Sequence, residues 1–343
     1  KAADHKMPAI ALTDHGHMLG VFLFWQTVEK HNEKVRKHNA KQKENDPAAQ
    51  YRAPIKPILG CEFNVCALHT DKSRQDNGYP LPLVALNKTG YQNLCTLSST
   101  ACTEGMYYVP RIDKILLEQY HEGLLCFTGS IQSELSQTLL NFGKDRAETL
   151  FKWYLKVFGD RLYIEINRHG LEEEVQVNSI LMEWSKRYGV TCFAATSTYY
   201  TDSDHARSRD ILIGVKESLS FTNDQELNQL KQNNRLGRLF LPNGNYFFKS
   251  PQQMSQLFED LPELLENTIK IADRIELFSL SREVVLPKFD IPAEFVDARD
   301  LKPEDEGKGK RGENAYLKFL AYKGAEHRYT QITPDLKERI DFE

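Results

Sequence analysis

Short apolar runs alternate with segments of helical periodicity along residues 1–215, and this alternation constrains the fold more than any other feature of the sequence. Six of the runs have the length of one buried strand, and helical segments follow most of them. The pattern predicts parallel strands joined by helical crossovers, in an open sheet or a barrel. The predicted strands are residues 8–12, 55–67, 81–87, 123–129, 161–167 and 190–196.

The alternation stops after about residue 222, and we predict a domain boundary there. Residues 1–222 form the α/β part, residues 223–245 connect, and residues 246–343 are mainly helical. A Ser-Pro pair at Ser250 and Pro251, a frequent helix start, marks the beginning of the helical part. The first residues of the chain read as the end of a helix already under way, so we expect the sequence to begin inside a structure.

Three stretches lack apolar periodicity and are predicted to be loops or links. Residues 29–53 form a polar insert, residues 286–292 an extended link bounded by prolines, and residues 303–312 a charged, glycine-rich linker. Residues 30–56 contain eight Lys or Arg and three Asp or Glu. Such a run is usually a solvated loop, and a patch that contacts phosphates is the alternative.

Composition excludes several classes of protein. With 343 residues, 41% apolar and 27% charged, the chain is predicted to be a soluble protein of two or three domains. It contains no apolar run of the ~18 residues that a transmembrane span needs, and no signal peptide. Six cysteines without a Cys-x-x-Cys pair fit a reducing cytoplasm. The net charge of −4 gives no global basic field for nucleic acid.

Acidic and imidazole side chains on the first two predicted strands form the candidate site. The first strand ends in Asp14, His15 and Gly16, and the second carries Glu62 between apolar residues. Polar side chains at the carboxyl ends of parallel strands commonly build a site. The alternative for Asp14 is a helix cap, and the alternative for Glu62 is an ion pair with an arginine.

Several longer motifs then occur in a fixed order. They are ALTDHG at 11–16, KPILGCEFNV at 56–65, ALNKTGYQNL at 85–94, EGLLCFTG at 122–129, YIEINRHG at 163–170, HARSRDILIGV at 205–215, FKSPQQMSQLFEDLPELLENTIKIADR at 248–274 and LPKFDIP at 286–292. This series resembles the PHP domain and the start of the thumb and palm in the family of bacterial replicative polymerases, the DNA polymerase III alpha subunits.

The resemblance implies an α/β fold, a distorted (β/α)7 PHP-type barrel followed by a mainly helical segment. Metal-binding members of the family hold up to three ions with nine side chains. His15 and Glu62 match two ligand positions, and Asp14 is expected to support His15 by hydrogen bonding. The family's first motif, His-x-His, and its first strand are expected upstream of Lys1.

Other family ligand positions depart from the pattern. Pro80 stands where the family often has histidine, and Ser130 where it has cysteine. Ser197 and Tyr199 fall within its Asn-Asp-x-His motif. Arg209 also replaces a frequent histidine. These residues are poor metal ligands. We therefore expect vestigial metal positions without a multinuclear cluster, and Glu62 paired with a cation, either Arg111 or Arg209.

Three functions follow from the resemblance. The first is an inactive PHP scaffold within a DNA-directed DNA polymerase that acts in DNA replication. The second is an active metal-dependent phosphoesterase, a 3′–5′ proofreading exonuclease. The third is a free-standing phosphatase, which the helical tail disfavours. The resemblance places the catalytic aspartates of the polymerase beyond residue 343. Asp202 and Asp204 have the Asp-x-Asp spacing of such a pair, but they precede a helix, where helix capping is the expected role.

Cofactors and partners follow from the same resemblance. We expect no cofactor bound within this chain, Mg²⁺ in the parent polymerase, and Zn²⁺ or Mn²⁺ only if the PHP site is active. The expected partners of the parent are primer–template DNA, a proofreading exonuclease subunit, a sliding clamp and a clamp-loader subunit. The chain itself is expected to be monomeric, cytoplasmic and free of membrane.

Overall fold

The computed structural model describes residues 1–45, 52–219, 223–232, 240–281, 289–301 and 310–343. The chain divides into two compact units, Lys1–Leu280 and Ser281–Glu343. The domain scheme predicted from the sequence, with boundaries at 222 and 245, stays a prediction.

The first unit contains one seven-stranded sheet that is curled into a half-barrel. The spatial order of six strands is β1-β2-β3-β5-β6-β7, and β4 pairs with β2. The predicted α/β barrel class, followed by a helical segment, is confirmed. The strands are β1 (Ala9–His15), β2 (Lys56–Cys66), β3 (Tyr79–Ala85), β4 (Arg111–Asp113), β5 (Leu124–Phe127), β6 (Leu162–Asn167) and β7 (Cys192–Ala195).

Strand β3 contradicts the prediction of parallel strands. It runs antiparallel to both β2 and β5, whereas the β1–β2, β2–β4, β5–β6 and β6–β7 pairs are parallel. The reason is the connection before it. Residues 67–78 contain no helix, and a parallel neighbour needs a crossover of a dozen or more residues, usually helical. Without that crossover the chain turns back beside β2.

Helices cover the outer face of the sheet and complete the unit. The helices are α1 (Val21–Asn45), α2 (Lys88–Thr103), α3 (Lys114–Tyr120), α4 (Glu134–Phe142), α5 (Lys144–Phe158), α6 (Glu172–Tyr188), α7 (Ala206–Lys216), α8 (Asp224–Gln232), α9 (Pro251–Leu257) and α10 (Pro262–Arg274). The short β4 and α3 were not predicted from the sequence.

The two faces of the sheet have separate cores. On the outer face, alternate strand residues such as Phe63 and Ile164 pack against buried helix residues such as Leu97 and Trp184. The inner face carries the other parity, and Ile58, Val84, Leu125 and Tyr163 form its apolar part with the end of α10. Because successive residues in a strand point to opposite faces, His15 and Glu62 belong to the inner face as well.

Helix α1 (Val21–Asn45) extends through much of the predicted polar insert. Residues 29–45 continue the helix, so the predicted loop over 29–53 is wrong for that part, and residues 46–51 lie outside the described chain. Val28, Asn32 and Val35 form a buried side at helical spacing. Asn32 fixes the helix to β2, because its side-chain amide exchanges two 2.8 Å hydrogen bonds with the backbone of Ile55. The polar Asn32 therefore interrupts the apolar pattern on the buried side of the helix, which is why the sequence did not predict this part of α1.

Helices α9 and α10 pack as part of the first unit. Ser250 caps α9 in a capping box with Gln253, as expected of the Ser-Pro start. Asn267 of α10 donates to the carbonyl of Cys192 in β7 at 2.8 Å. The ammonium of Lys56, at the start of β2, donates to the carbonyl of Ala272 at 2.7 Å. These contacts close one end of the inner face.

The second unit is mainly helical, with α11 (Arg311–Arg328) and α12 (Pro334–Phe342). Phe295 packs against Tyr316 and Phe319, with ring centroids 5.0 and 5.3 Å apart. Residues 289–292 of the first predicted link are described and contain no helix or strand, whereas residues 286–288 lie outside the described residues. Residues 303–309 of the second predicted link also lie outside them, and its last two residues, Arg311 and Gly312, begin α11. In the described part of the chain, no helix has the length and apolar character that crossing a membrane demands.

Candidate functional site

His15 and Glu62 meet at the polar end of the inner face. They are direct partners in the β1–β2 ladder, and His15 Nδ1 lies 2.9 Å from Glu62 Oε1. The imidazole is 57% exposed and the carboxylate 26% exposed. The ladder ends at Gly16, whose N–H donates to the Glu62 carbonyl at 2.8 Å and whose φ of +80° favours glycine. The pairing of β1 with β2 therefore brings the two predicted ligand residues together, and their side chains are hydrogen-bonded to each other.

Asp14 lies on the opposite face of β1 from His15. Its carboxylate packs against Gly20, immediately before α1, so closely that a Cβ on Gly20 would lie 2.3 Å from Oδ2. A carboxylate at this end of a helix is stabilised by the helix dipole. The helix cap stays the alternative role for Asp14. Its predicted role as a support for His15 stays a prediction.

Pro80 and Ser130 lie beside the pair on the next strands. In the β2–β3 register Pro82 is opposite Glu62, and Pro80 is opposite Asn64. Ser130 follows β5, and its hydroxyl accepts a 3.3 Å hydrogen bond from the Gln132 N–H. The proline has no side-chain donor atom, and the serine hydroxyl closes a local turn.

The segment after β7 is held by a buried histidine that the sequence analysis did not single out. Ser197 N–H donates to His169 Nε2 at 3.0 Å, and His169 Nδ1 lies 2.6 Å from the Glu174 carboxylate. Both His169 and Glu174 are at least 97% buried. The bond to His169 lowers the pKa of Glu174, against the effect of burial. The imidazole therefore donates through Nδ1 and accepts through Nε2.

A later stretch of the chain covers this segment. The His169 ring stacks on Tyr246 at 4.2 Å, and Asn243 and Asn245 both donate to the His169 carbonyl. Tyr199 N–H donates to the Tyr246 carbonyl at 2.9 Å. Ser197 and Tyr199, which the resemblance places within the family's Asn-Asp-x-His motif, thus make backbone hydrogen bonds to His169 and Tyr246.

Glu165 is a second site residue that is absent from the predicted site residues. It shares its face with Glu62 and accepts a 3.3 Å hydrogen bond from Asn167. Burial, with a smaller contribution from the nearby charge of Glu62, raises the pKa of Glu165 to about 7, against the opposing effect of the Asn167 hydrogen bond. Among the described residues its Oε2 has no hydrogen-bond partner. The sequence signal that could have identified Glu165 is its place in the predicted strand 161–167, because alternate residues of a strand share one face.

Neither arginine proposed for Glu62 is its partner, and that prediction is wrong. Within the described chain, the side chain that pairs with Glu62 within 4.0 Å is the imidazole of His15. Arg111 is fully buried elsewhere, where it donates to the carbonyls of Gly105 and Asp76 at 3.0 and 2.9 Å. Arg209 lies over the ring of Tyr199 at 5.0 Å. A buried guanidinium can be satisfied by backbone carbonyls, which sequence alone does not reveal.

The absence of a multinuclear metal centre at these positions stays a prediction. His15 Nδ1 and Glu62 are bonded to each other, and the neighbouring family positions carry proline, serine and tyrosine. Across the ranges that the structure describes, no group of three or more His, Cys, Asp or Glu side chains is arranged to hold a metal ion.

Comparison with known protein families matches residues 1–169 to the PHP domain. Among curated proteins, the DNA polymerase III subunit alpha of Borreliella burgdorferi is 32% identical over 348 residues, covering 100% of this chain and 26% of that protein. The same subunit of Treponema pallidum is 32% identical over 98% of this chain and 25% of its own length. That of Deinococcus radiodurans is 30% identical over 86% of this chain and 20% of its own.

The chain thus spans about a quarter of the length of the curated relatives it matches. The matches lie in the N-terminal part of those proteins and continue beyond the PHP match, into the helical part of the chain. Residues 1–169 belong to the PHP domain family, within a chain that is homologous to the N-terminal part of DNA polymerase III alpha subunits.

Proposed function

We propose that this chain is the N-terminal part of a DNA-directed DNA polymerase that acts in DNA replication, and that its PHP unit serves as a structural scaffold. The observation that carries the proposal is the extent of the similarity. It runs through 98–100% of the chain in two relatives, including the helices beyond residue 169, whereas a lone PHP phosphatase needs no such tail.

The scaffold role is supported by how the polar end of the inner face is used. His15 bonds to Glu62, Ser130 closes a turn, and the backbone of Ser197 is fixed by His169. These groups make internal contacts that stabilise strand ends and loops. A catalytic metal site keeps charged ligands and an open position for water, and few such ligands stand at the family positions here.

The alternative function is a metal-dependent phosphoesterase, a 3′–5′ exonuclease. Glu165 is the observation that favours it, because it adds a carboxylate to the same end of the inner face as Glu62 and His15. Zn²⁺ or Mn²⁺ belongs to this alternative only.

The polymerase reaction itself belongs to the parent protein in this proposal. Nucleotidyl transfer needs paired aspartates that hold Mg²⁺. Asp202 precedes a short 3-10 turn at Ser203–His205 and Asp204 lies within that turn, and the Asp202 carboxylate pairs with Lys1. The substrate of the parent is then primer–template DNA, and its partners are a proofreading exonuclease subunit, a sliding clamp and a clamp-loader subunit.

Primer extension by the purified full-length parent tests the proposal. We expect Mg²⁺-dependent extension of a primed template by the four nucleotides. We also expect that deleting the PHP unit lowers the yield of folded protein, because the remaining part of the protein then lacks the hydrophobic core that this unit contributes. A full-length protein that folds and binds nucleotides but extends no primer would contradict the proposed function.

A further inference from the structure

Helix α1 carries a regular row of exposed lysines on the side that faces away from the barrel. Lys30, Lys34, Lys37 and Lys41 follow one another at spacings of four, three and four residues, and all four are exposed. At ~100° per residue this spacing keeps them on one face over about 16 Å of helix axis. We call this row the lysine stripe. The buried residues Val28, Asn32 and Val35 lie half a turn away and hold the helix to the sheet.

The stripe is a local positive surface on a chain with a net charge of −4. The ion pair that α1 makes within the described residues joins Arg36 to Glu29, on another side of the helix. Within that part of the chain no carboxylate lies within 4.0 Å of the four stripe ammonium groups, although the exposed Glu33 flanks the row. Like charges three and four residues apart repel each other on a helix. A bound polyanion relieves that repulsion.

We propose that the lysine stripe of α1 is a contact surface for the phosphate backbone of nucleic acid. Lysine binds phosphate as a compact point charge with no need for a fixed orientation, so a row of lysines suits a polymer that repeats one charge. One strand of duplex DNA carries a phosphate every ~3.4 Å of axis, so the stripe spans about five of them. The choice of nucleic acid over an acidic protein segment rests on the proposed function.

The contact made by this surface is independent of base sequence. The four stripe side chains are lysines, with no aromatic ring among them on which a base could stack. Binding therefore depends on counterion release and weakens steeply with salt. Four contacts give a slope of about 2.8 in log K against log salt for a single strand, which is a ~50-fold loss of affinity between 50 and 200 mM.

Fluorescence anisotropy of the 343-residue chain with a labelled single-stranded oligonucleotide tests the inference. The test variant combines Lys30→Gln, Lys34→Gln, Lys37→Gln and Lys41→Gln. The matched control combines Lys72→Gln, Lys88→Gln, Lys156→Gln and Lys186→Gln, which remove four exposed charges spread over the same unit. We expect the test variant to lose the ~2.8 of slope and the control to keep most of it. Circular dichroism checks that both retain their helix content.

An affinity and slope in the test variant equal to those of the control would overturn the inference. Equal competition by polyglutamate of the same charge and by the oligonucleotide would also overturn the inference, because the stripe would then be a surface for an acidic protein. Primer extension by the full-length parent separates the two proposals. Stripe-dependent DNA binding without extension refutes the proposed function alone, and extension without stripe-dependent binding refutes the stripe alone.

Discussion

Replacing Glu165 with glutamine should stabilise the protein relative to wild type by an amount that grows as pH rises from about 4.5 to 7 and then levels off. Burial disfavours the charged carboxylate and raises its pKa from 4.5 to about 7. Between these values the folded state holds a proton that the unfolded state has released, so the stability of the wild-type protein falls as pH rises through this window. A shift of this size corresponds to about 3 kcal/mol. Glutamine keeps the acceptor for Asn167 and cannot ionise.

Urea denaturation of wild-type protein and of Glu165→Gln from pH 4.5 to pH 8 measures the effect. The difference in unfolding free energy should rise by about 3 kcal/mol across that range and stay constant above pH 8. Glu259→Gln serves as the matched control, because Glu259 is exposed and its substitution should give a flat difference. A flat difference for Glu165→Gln as well would refute the reasoning that burial controls this carboxyl.

Other substitutions test the packing. Ile164→Ala, in the fully buried part of β6, should lower the unfolding free energy by roughly 2–5 kcal/mol in the same denaturation assay, through the cavity it leaves. Asn32→Ala should cost about 2–4 kcal/mol by leaving two backbone groups of Ile55 without partners, and Asn39→Ala should cost less because its bonds to the Arg52 backbone are exposed to solvent. Gly16→Ala should destabilise by ~1 kcal/mol or more, because its φ is +80°; thermal melting checks this.

The strands were predictable from sequence wherever burial on both faces produced a short continuous apolar run. The apolar runs at 55–67 and 161–167 match β2 and β6 within a residue or so, because buried strands need short continuous apolar segments. The direction of β3 was not predictable from its own residues. It depends on a connection, residues 67–78, whose lack of a helix decides the pairing. The length of α1 was missed since its buried side includes the polar Asn32.

The candidate site was predictable only in part, for a similar reason. Motifs identified His15 and Glu62, and strand register brought them together. The partner of Glu62 was predicted wrongly, because a buried arginine can bond to carbonyls, as Arg111 does. His169 was missed since its role depends on Glu174 and Tyr246, which lie elsewhere in the chain and meet it only after folding.

The most direct test of the scaffold proposal is 3′-end trimming of a labelled primer by the purified full-length parent, free of any separate exonuclease. The assay is run with Mg²⁺, Mn²⁺ or Zn²⁺ added, on wild-type protein and on His15→Ala and Glu62→Ala variants. The scaffold proposal predicts trimming at background in all three proteins with every metal. Metal-dependent trimming by the wild-type protein that the His15→Ala change abolishes would contradict it and assign a phosphoesterase activity to the PHP unit.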